Sequence, residues 1–139
     1  MYASESVQNE PITVSGFVIV PKSSPSAGGY RVVSVAHGTV GLDDSCAPTL
    51  SAASLPPKTN ELLDRGLIVA ATDYRGLGPP GLLPYLVGVS AARDTINIVR
   101  ATQHLVSDVS SNYVVIGYSE GGQAAMFASH IAAVYARAR

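Results

Sequence analysis

The sequence predicts an α/β domain with a mostly parallel sheet flanked by helices, and three observations carry that prediction. Strand-like and helix-like segments alternate in the order strand, strand, helix, strand, helix, strand, helix, the pattern of parallel strands joined by right-handed crossovers. The runs "YRVVSVAHG" and "LIVAATDYRGLG" are nearly continuous in apolar residues, as strands covered on both faces are. A Gly-x-Ser-x-Gly pentapeptide, Gly117 to Gly121, stands where the last strand meets the last helix.

Each element has a local reason. "PITVSGFVIVP" holds a β-branched run closed by Pro21 and reads as a strand. "KSSPSAGG" is a turn-rich connector. The run Tyr30 to Gly38 is a buried strand ending in a glycine. Thr39 to Pro57, with two aspartates, Cys46 and three prolines, is a long functional loop or one carrying short helical pieces. "KTNELLDRG" is a short helix that Gly66 is placed to terminate. The strand from Leu67 follows, running into a Gly-rich loop, and "PPGLLPYLVG" has too many prolines for regular structure. In "SAARDTINIVRATQHLV", Ala92, Ile96, Val99 and Val106 recur at helical spacing, with Ser90 as the expected N-cap. "NYVVIG" is the third buried strand, and "EGGQAAMFASHIAAVYARAR" the last helix.

Composition narrows the function classes. The 139 residues suffice for at most one domain, and 47% hydrophobic against 14% charged residues is a globular balance. A formal net charge of -1 offers no electrostatic case for nucleic acid or an anionic membrane surface. No run approaches the roughly 18 apolar residues of a membrane span. Residues 1–11, "MYASESVQNEP", lack a basic stretch and an apolar core, so no signal peptide is expected there, and the segment is expected to be a flexible N-terminus. Cys46 is the only cysteine, so a disulfide would need a partner outside the chain. Asp43 and Asp44 are adjacent carboxylates, too few to hold a cation, and no metal or cofactor is expected.

The chemistry centres on Ser119. In a strand–turn–helix of this kind the serine takes a strained backbone angle that lifts Oγ above the sheet. Gly117 and Gly121 lack the bulk that would keep strand and helix apart. The Glu120 amide then lies at a helix N-terminus, where a developing oxyanion is stabilised. A second donor is expected from the loop after an earlier strand. "AHGT" supplies one: Gly38 allows close passage to a substrate carbonyl, and the Thr39 amide is the candidate. His37 is expected to order this loop by hydrogen bonding, and Asp73 to cap or hydrogen-bond the loop beneath the site. Tyr85, Leu82, Leu83 and Leu86 either line an acyl pocket or pack under a loop.

These motifs together resemble a known family. "VVSVAHGTVGLDDSCAPT", "ATDYRGLGPPGLLPYLVG" and "VVIGYSEGGQAA" are similar, in this order, to the H-G-T loop with C-A-P, the D-Y-x-G-x-G segment and the nucleophile elbow of the secretory lipase family. The resemblance runs from about Ile12 onward. It implies a partial α/β-hydrolase fold and a Ser-His-Asp esterase acting on acylglycerols or other carboxylic esters. It further implies a small-molecule or lipid ester as substrate, with a lipid–water interface as a partner surface, and secretion as the localisation. The residue after the nucleophile is usually neutral in that family; here it is Glu120. Thioester hydrolysis is an alternative on the same fold.

The rest of a triad is missing. After Ser119 the only acidic residue is Glu120 and the only histidine His130. Glu120 adjoins the nucleophile, and His130 lies eleven residues along the helix, about 16 Å by its rise. His104, on the preceding helix, is expected at the surface. The chain is therefore expected to be the N-terminal part of a single incomplete hydrolase domain, 1–139, lacking the C-terminal strands. An exposed apolar edge is expected at the strand Tyr113 to Gly117. Alternatively it is an inactive truncated fragment of such an enzyme.

Overall fold

The computed structural model describes residues 1–51 and 55–135. Among the described residues six strands and three α-helices follow one another: β1 (Tyr2–Glu5), β2 (Pro11–Val14), β3 (Gly16–Ile19), β4 (Tyr30–Ala36), α1 (Thr59–Asp64), β5 (Ile68–Thr72), α2 (Gly88–Leu105), β6 (Val109–Gly117) and α3 (Glu120–Tyr135). The main sheet has the order β3-β5-β4-β6. β4 pairs in parallel with both β5 and β6, and β3 lies antiparallel to β5. Two of the three pairings are thus parallel, as the apolar runs predict.

Alternation along the central strands decides which helix covers which face. Val33, Val35, Val69 and Ala71 meet Leu62 and Leu63 of α1 on one face. Val32, Ile68 and Ala70 meet Ile98 and Val99 of α2 on the other. α3 packs on the α2 side, where Ala128 lies against Ala92 and Ile96. β6 is the outer strand and holds no buried residue, so it is not the third buried strand expected; its Val114 and Ile116 are 58% and 39% exposed, as the expected apolar edge would be. The loop between β4 and α1 contains two short 3-10 turns, Asp44–Cys46 and Pro48–Leu50.

Three expectations are corrected. The β-branched run after Pro11 is not one strand: it is split at Ser15, whose carbonyl accepts from the Asp73 amide (2.9 Å). Ser90 does not cap α2. The helix begins at Gly88, and Ser90 is buried in its first turn with its amide donating to Val87. Residues 1–11 are not a loose end either. β1 and β2 form an antiparallel ribbon with Tyr2 opposite Val14 and Glu5 opposite Pro11. Polar contacts anchor it to α2. Ser4 Oγ donates to Asp94 Oδ1 (2.5 Å) and accepts from Asn97 Nδ2 (3.0 Å), and Arg93 pairs with Glu5 (3.5 Å) and donates to the Ser6 carbonyl.

Asp94 joins this ribbon to the loop after β5, because its Oδ2 accepts from the Arg75 amide (2.9 Å). Burial pushes its carboxyl up to about 6, against the opposing pull of Ser4, the Arg75 amide and two arginines. The folded value lies above the ordinary carboxyl value of 3.8, so folding favours the protonated form. Stability from this group is full below the unfolded value and is lost as pH rises through about 6, by about 3 kcal/mol in total. Asp94→Asn is expected to remove that dependence. Urea unfolding of both proteins at about pH 4 and about pH 7 should show wild type losing up to about 3 kcal/mol relative to the variant. Parallel profiles would refute it.

Candidate active site

Ala36 of β4 and Gly117 of β6 are Cα partners at the carboxyl ends of neighbouring strands. The loop His37–Thr39 and the turn at Ser119 therefore emerge side by side. Ser119 has φ +51° and is exposed. That left-handed angle is costly for a residue with a side chain, about 1–3 kcal/mol, and is held only where the surroundings demand it. The demand comes from the first turn of α3, where the Gly122 and Gln123 amides donate to the Ser119 carbonyl (2.9 and 3.2 Å). Packing adds to it. A Cβ on Gly121 would overlap the Ala36 carbonyl and stand 2.7 Å from the His37 carbonyl oxygen; one on Gly117 would overlap the Gly121 carbonyl. A Cβ on Gly38 would fall 2.7 Å from the Tyr118 ring. The three glycines expected at this junction are thus the ones that let strand, helix and loop meet.

The loop after β4 is fastened from beneath. His37 turns Nδ1 to the Gly38 carbonyl (2.7 Å) and Nε2 to the Asp73 carbonyl (3.1 Å). A neutral imidazole donates through only one of these nitrogens, and either bond ties the ring to the main chain and orders the loop. Tyr74, a residue sequence reasoning passed over, stacks on the ring at 4.3 Å, and its hydroxyl donates to the His37 carbonyl (2.9 Å). Burial, with a contribution from Glu120, holds that phenol far above its ordinary value, so it stays a donor. The sign in the sequence was Asp-Tyr-Arg-Gly directly after a strand: Tyr74 has φ +69° and is 2% exposed.

Asp73 is fully buried beneath the same loop. Its carboxyl group accepts from Ser15 Oγ (2.5 Å), Thr49 Oγ1 (2.5 Å) and the Thr49 amide (3.0 Å). It holds the loop by hydrogen bonds, one of the two roles expected of it, and does not cap the 3-10 turn Pro48–Leu50. Asp43 caps the first 3-10 turn by accepting from the Ser45 amide and hydroxyl (2.9 and 2.6 Å), which lowers its pKa. Cys46 is a free thiol.

Glu120, whose orientation sequence left undecided, turns inward. It is 7% exposed, and its Oε2 accepts from Thr39 Oγ1 (3.0 Å). Tyr85 approaches the same Thr39 oxygen at 3.1 Å. Of the neighbouring leucines, Leu83 packs against Ala36, Tyr74 and Ala124, whereas Leu82 and Leu86 are exposed. A cavity of about 270 Å³ opens beside the junction, lined by Phe17, Val35, His37, Val40, Pro48 and Tyr118 among others. His104 and His130 are exposed on α2 and α3. Among the described residues no histidine is brought to Ser119 as a base.

Comparison with known proteins agrees with this fold. The rice cell wall degrading esterase LipA from Xanthomonas oryzae is similar over 98% of this chain, at 31% identity and a TM-score of 0.78. Candida antarctica lipase A shares the fold at 23% identity and a TM-score of 0.74, again over 98% of this chain. A putative hydrolase from Legionella pneumophila does so at 24% identity and a TM-score of 0.68, over 97% of this chain. This chain spans 37%, 34% and 38% of those proteins respectively. A comparison with curated proteins finds no match. A model of the secretory lipase family matches residues 58–138, more than half of the sequence. With an α/β-hydrolase sheet, the glycine-lined turn at Ser119 and the loop of Thr39 beside it, the chain belongs to the secretory lipase family.

Proposed function

We propose that this chain carries the nucleophile of a carboxylic ester hydrolase of the lipase or esterase type. The observation that carries the reading is Ser119 itself, exposed at a left-handed strand–helix turn with the Thr39 loop alongside. Ser119 Oγ bonds to the ester carbonyl carbon while its proton passes to a base. The carbonyl oxygen takes the negative charge against the Thr39 and Glu120 amides. Collapse expels the alcohol, protonated by the same base, and leaves an acyl-enzyme. Water then adds, the acid departs, and Ser119 regains its proton. On this reading the base and the acid orienting it lie in residues outside these 139.

Acylglycerols or other carboxylic esters suit the apolar cavity beside the turn. Val40, Leu42, Leu50, Leu82 and Leu86 are exposed on the two loops that follow β4 and β5, an apolar rim fitted to a lipid–water interface. Secretion is the localisation that goes with this family. A second reading, a non-catalytic fragment, is favoured by the lack of a placed base among the described residues. Hydrolysis of p-nitrophenyl acetate separates the two. The expected result is a slow acyl transfer to Ser119, whose proton passes to the buffer in place of the missing base, and a lower rate in Ser119→Ala. Equal rates in the two proteins would support the fragment. An Asp and a His in the reading frame beyond Arg139 would supply the missing partners.

A further inference from the structure

The contact between Glu120 and Thr39 has a direction, and the direction decides what Thr39 can offer a substrate. Thr39 Oγ1 has one proton, and it goes to Glu120 Oε2 at 3.0 Å. A carboxylate only accepts, so the roles cannot be exchanged. Tyr85, 3.1 Å from the same Oγ1, must then be the donor of its pair. The hydrogen bonds run one way, from Tyr85 through Thr39 to Glu120. Glu120 is 7% exposed, so water does not readily compete for its oxygens.

We infer that Glu120 withholds the Thr39 hydroxyl from the reacting carbonyl, leaving the oxyanion two backbone amides where a third donor stands ready. The inference rests on Ser119 as nucleophile and on Thr39 and Glu120 as the oxyanion residues. It makes the Glu120 side chain a positioning residue, because it acts through Thr39. A glutamine at this position has the same shape but could donate through its amide nitrogen to Thr39 Oγ1. The threonine proton would then be free to turn to the oxyanion. The same exchange removes a negative charge from the neighbourhood of the one that develops.

Binding of n-butylboronic acid, followed by boron NMR, tests this without a catalytic base. Ser119 Oγ donates a lone pair to boron, its proton passes to the buffer, and a tetrahedral anion forms in the place of the oxyanion. Glu120→Gln is expected to tighten binding about tenfold, a cautious figure beside the about 10²–10³ that the loss of one oxyanion donor costs. Thr39→Val should change binding less than about threefold in the wild type, yet take away a larger part of the gain in Glu120→Gln, the remainder being the effect of the lost charge; that non-additivity is a signature a merely structural contact would not give. Glu120→Ala, which also releases the hydroxyl, should tighten binding too, and serves if Glu120→Gln folds poorly by its melting curve. Unchanged or weaker binding in the Glu120 variants, or an equal Thr39→Val loss in both backgrounds, would overturn the inference alone. An adduct that persists in Ser119→Ala would overturn the serine reading, and the inference with it.

Discussion

Gly121→Ala will destabilise the protein by about 3 kcal/mol or more. The added methyl has nowhere to go: it meets the carbonyls of Ala36 and His37, which are main-chain atoms at the end of a buried strand and cannot rotate aside. Relief requires α3 to lift away from β4, and that motion separates Ser119 from the Thr39 loop. Stability and the geometry of the site should therefore fail together. Gly122→Ala is the matched control. A Cβ there has its nearest neighbour 3.8 Å away, at the Gly117 carbonyl oxygen, so the substitution should gain up to about 1 kcal/mol from helix propensity. Urea denaturation of the pair reads both. Similar stabilities for the two variants would show that the crossing of strand and helix is looser than described.

Asp73→Ala will cost about 3–5 kcal/mol, the range for removing one partner of a buried, charge-assisted network. Ser15 Oγ, Thr49 Oγ1 and the Thr49 amide would each lose their acceptor. These bonds tie the segment between β2 and β3 to the second 3-10 turn. The damage should thus extend beyond global stability: the loop from Asp43 to Pro57 should become the first site of cleavage in limited proteolysis. Asp73→Asn keeps one acceptor oxygen and the same volume, and should fall between. A loss under about 1 kcal/mol with no new cleavage would mean that Thr49 and Ser15 find other partners.

What was legible in the sequence was local. The turn at Ser119 could be read because its constraints act within five residues, Gly117 to Gly121, where strand gives way to helix. The buried face of α2 could be read because Ala92, Ile96 and Val99 repeat at the helical period. The N-terminal ribbon could not. Ser4 and Glu5 look like residues of a solvated tail; they are buried only because Arg93, Asp94 and Asn97, about ninety positions later, receive them. The inward turn of Glu120 was hidden for the same reason, since its partner Thr39 is 81 residues away. Ser90 misled because a serine before a helical pattern is a sound cap signal. The chain enters α2 earlier, after Leu86 at φ +58°, and the turn closes on Val87 instead.

The position of β4 between β5 and β6 has a further consequence. From β4 the chain departs through α1 over one face of the sheet, while from β6 it departs into α3 over the other. Two adjacent strand ends thus send their connections in opposite directions, and a crevice opens between them before any side chain is considered. The hollow beside the Ser119 turn is in this sense a product of connectivity. Loops around it can lengthen or change their apolar character, and so reshape the hollow, without disturbing the strands that hold the serine in place.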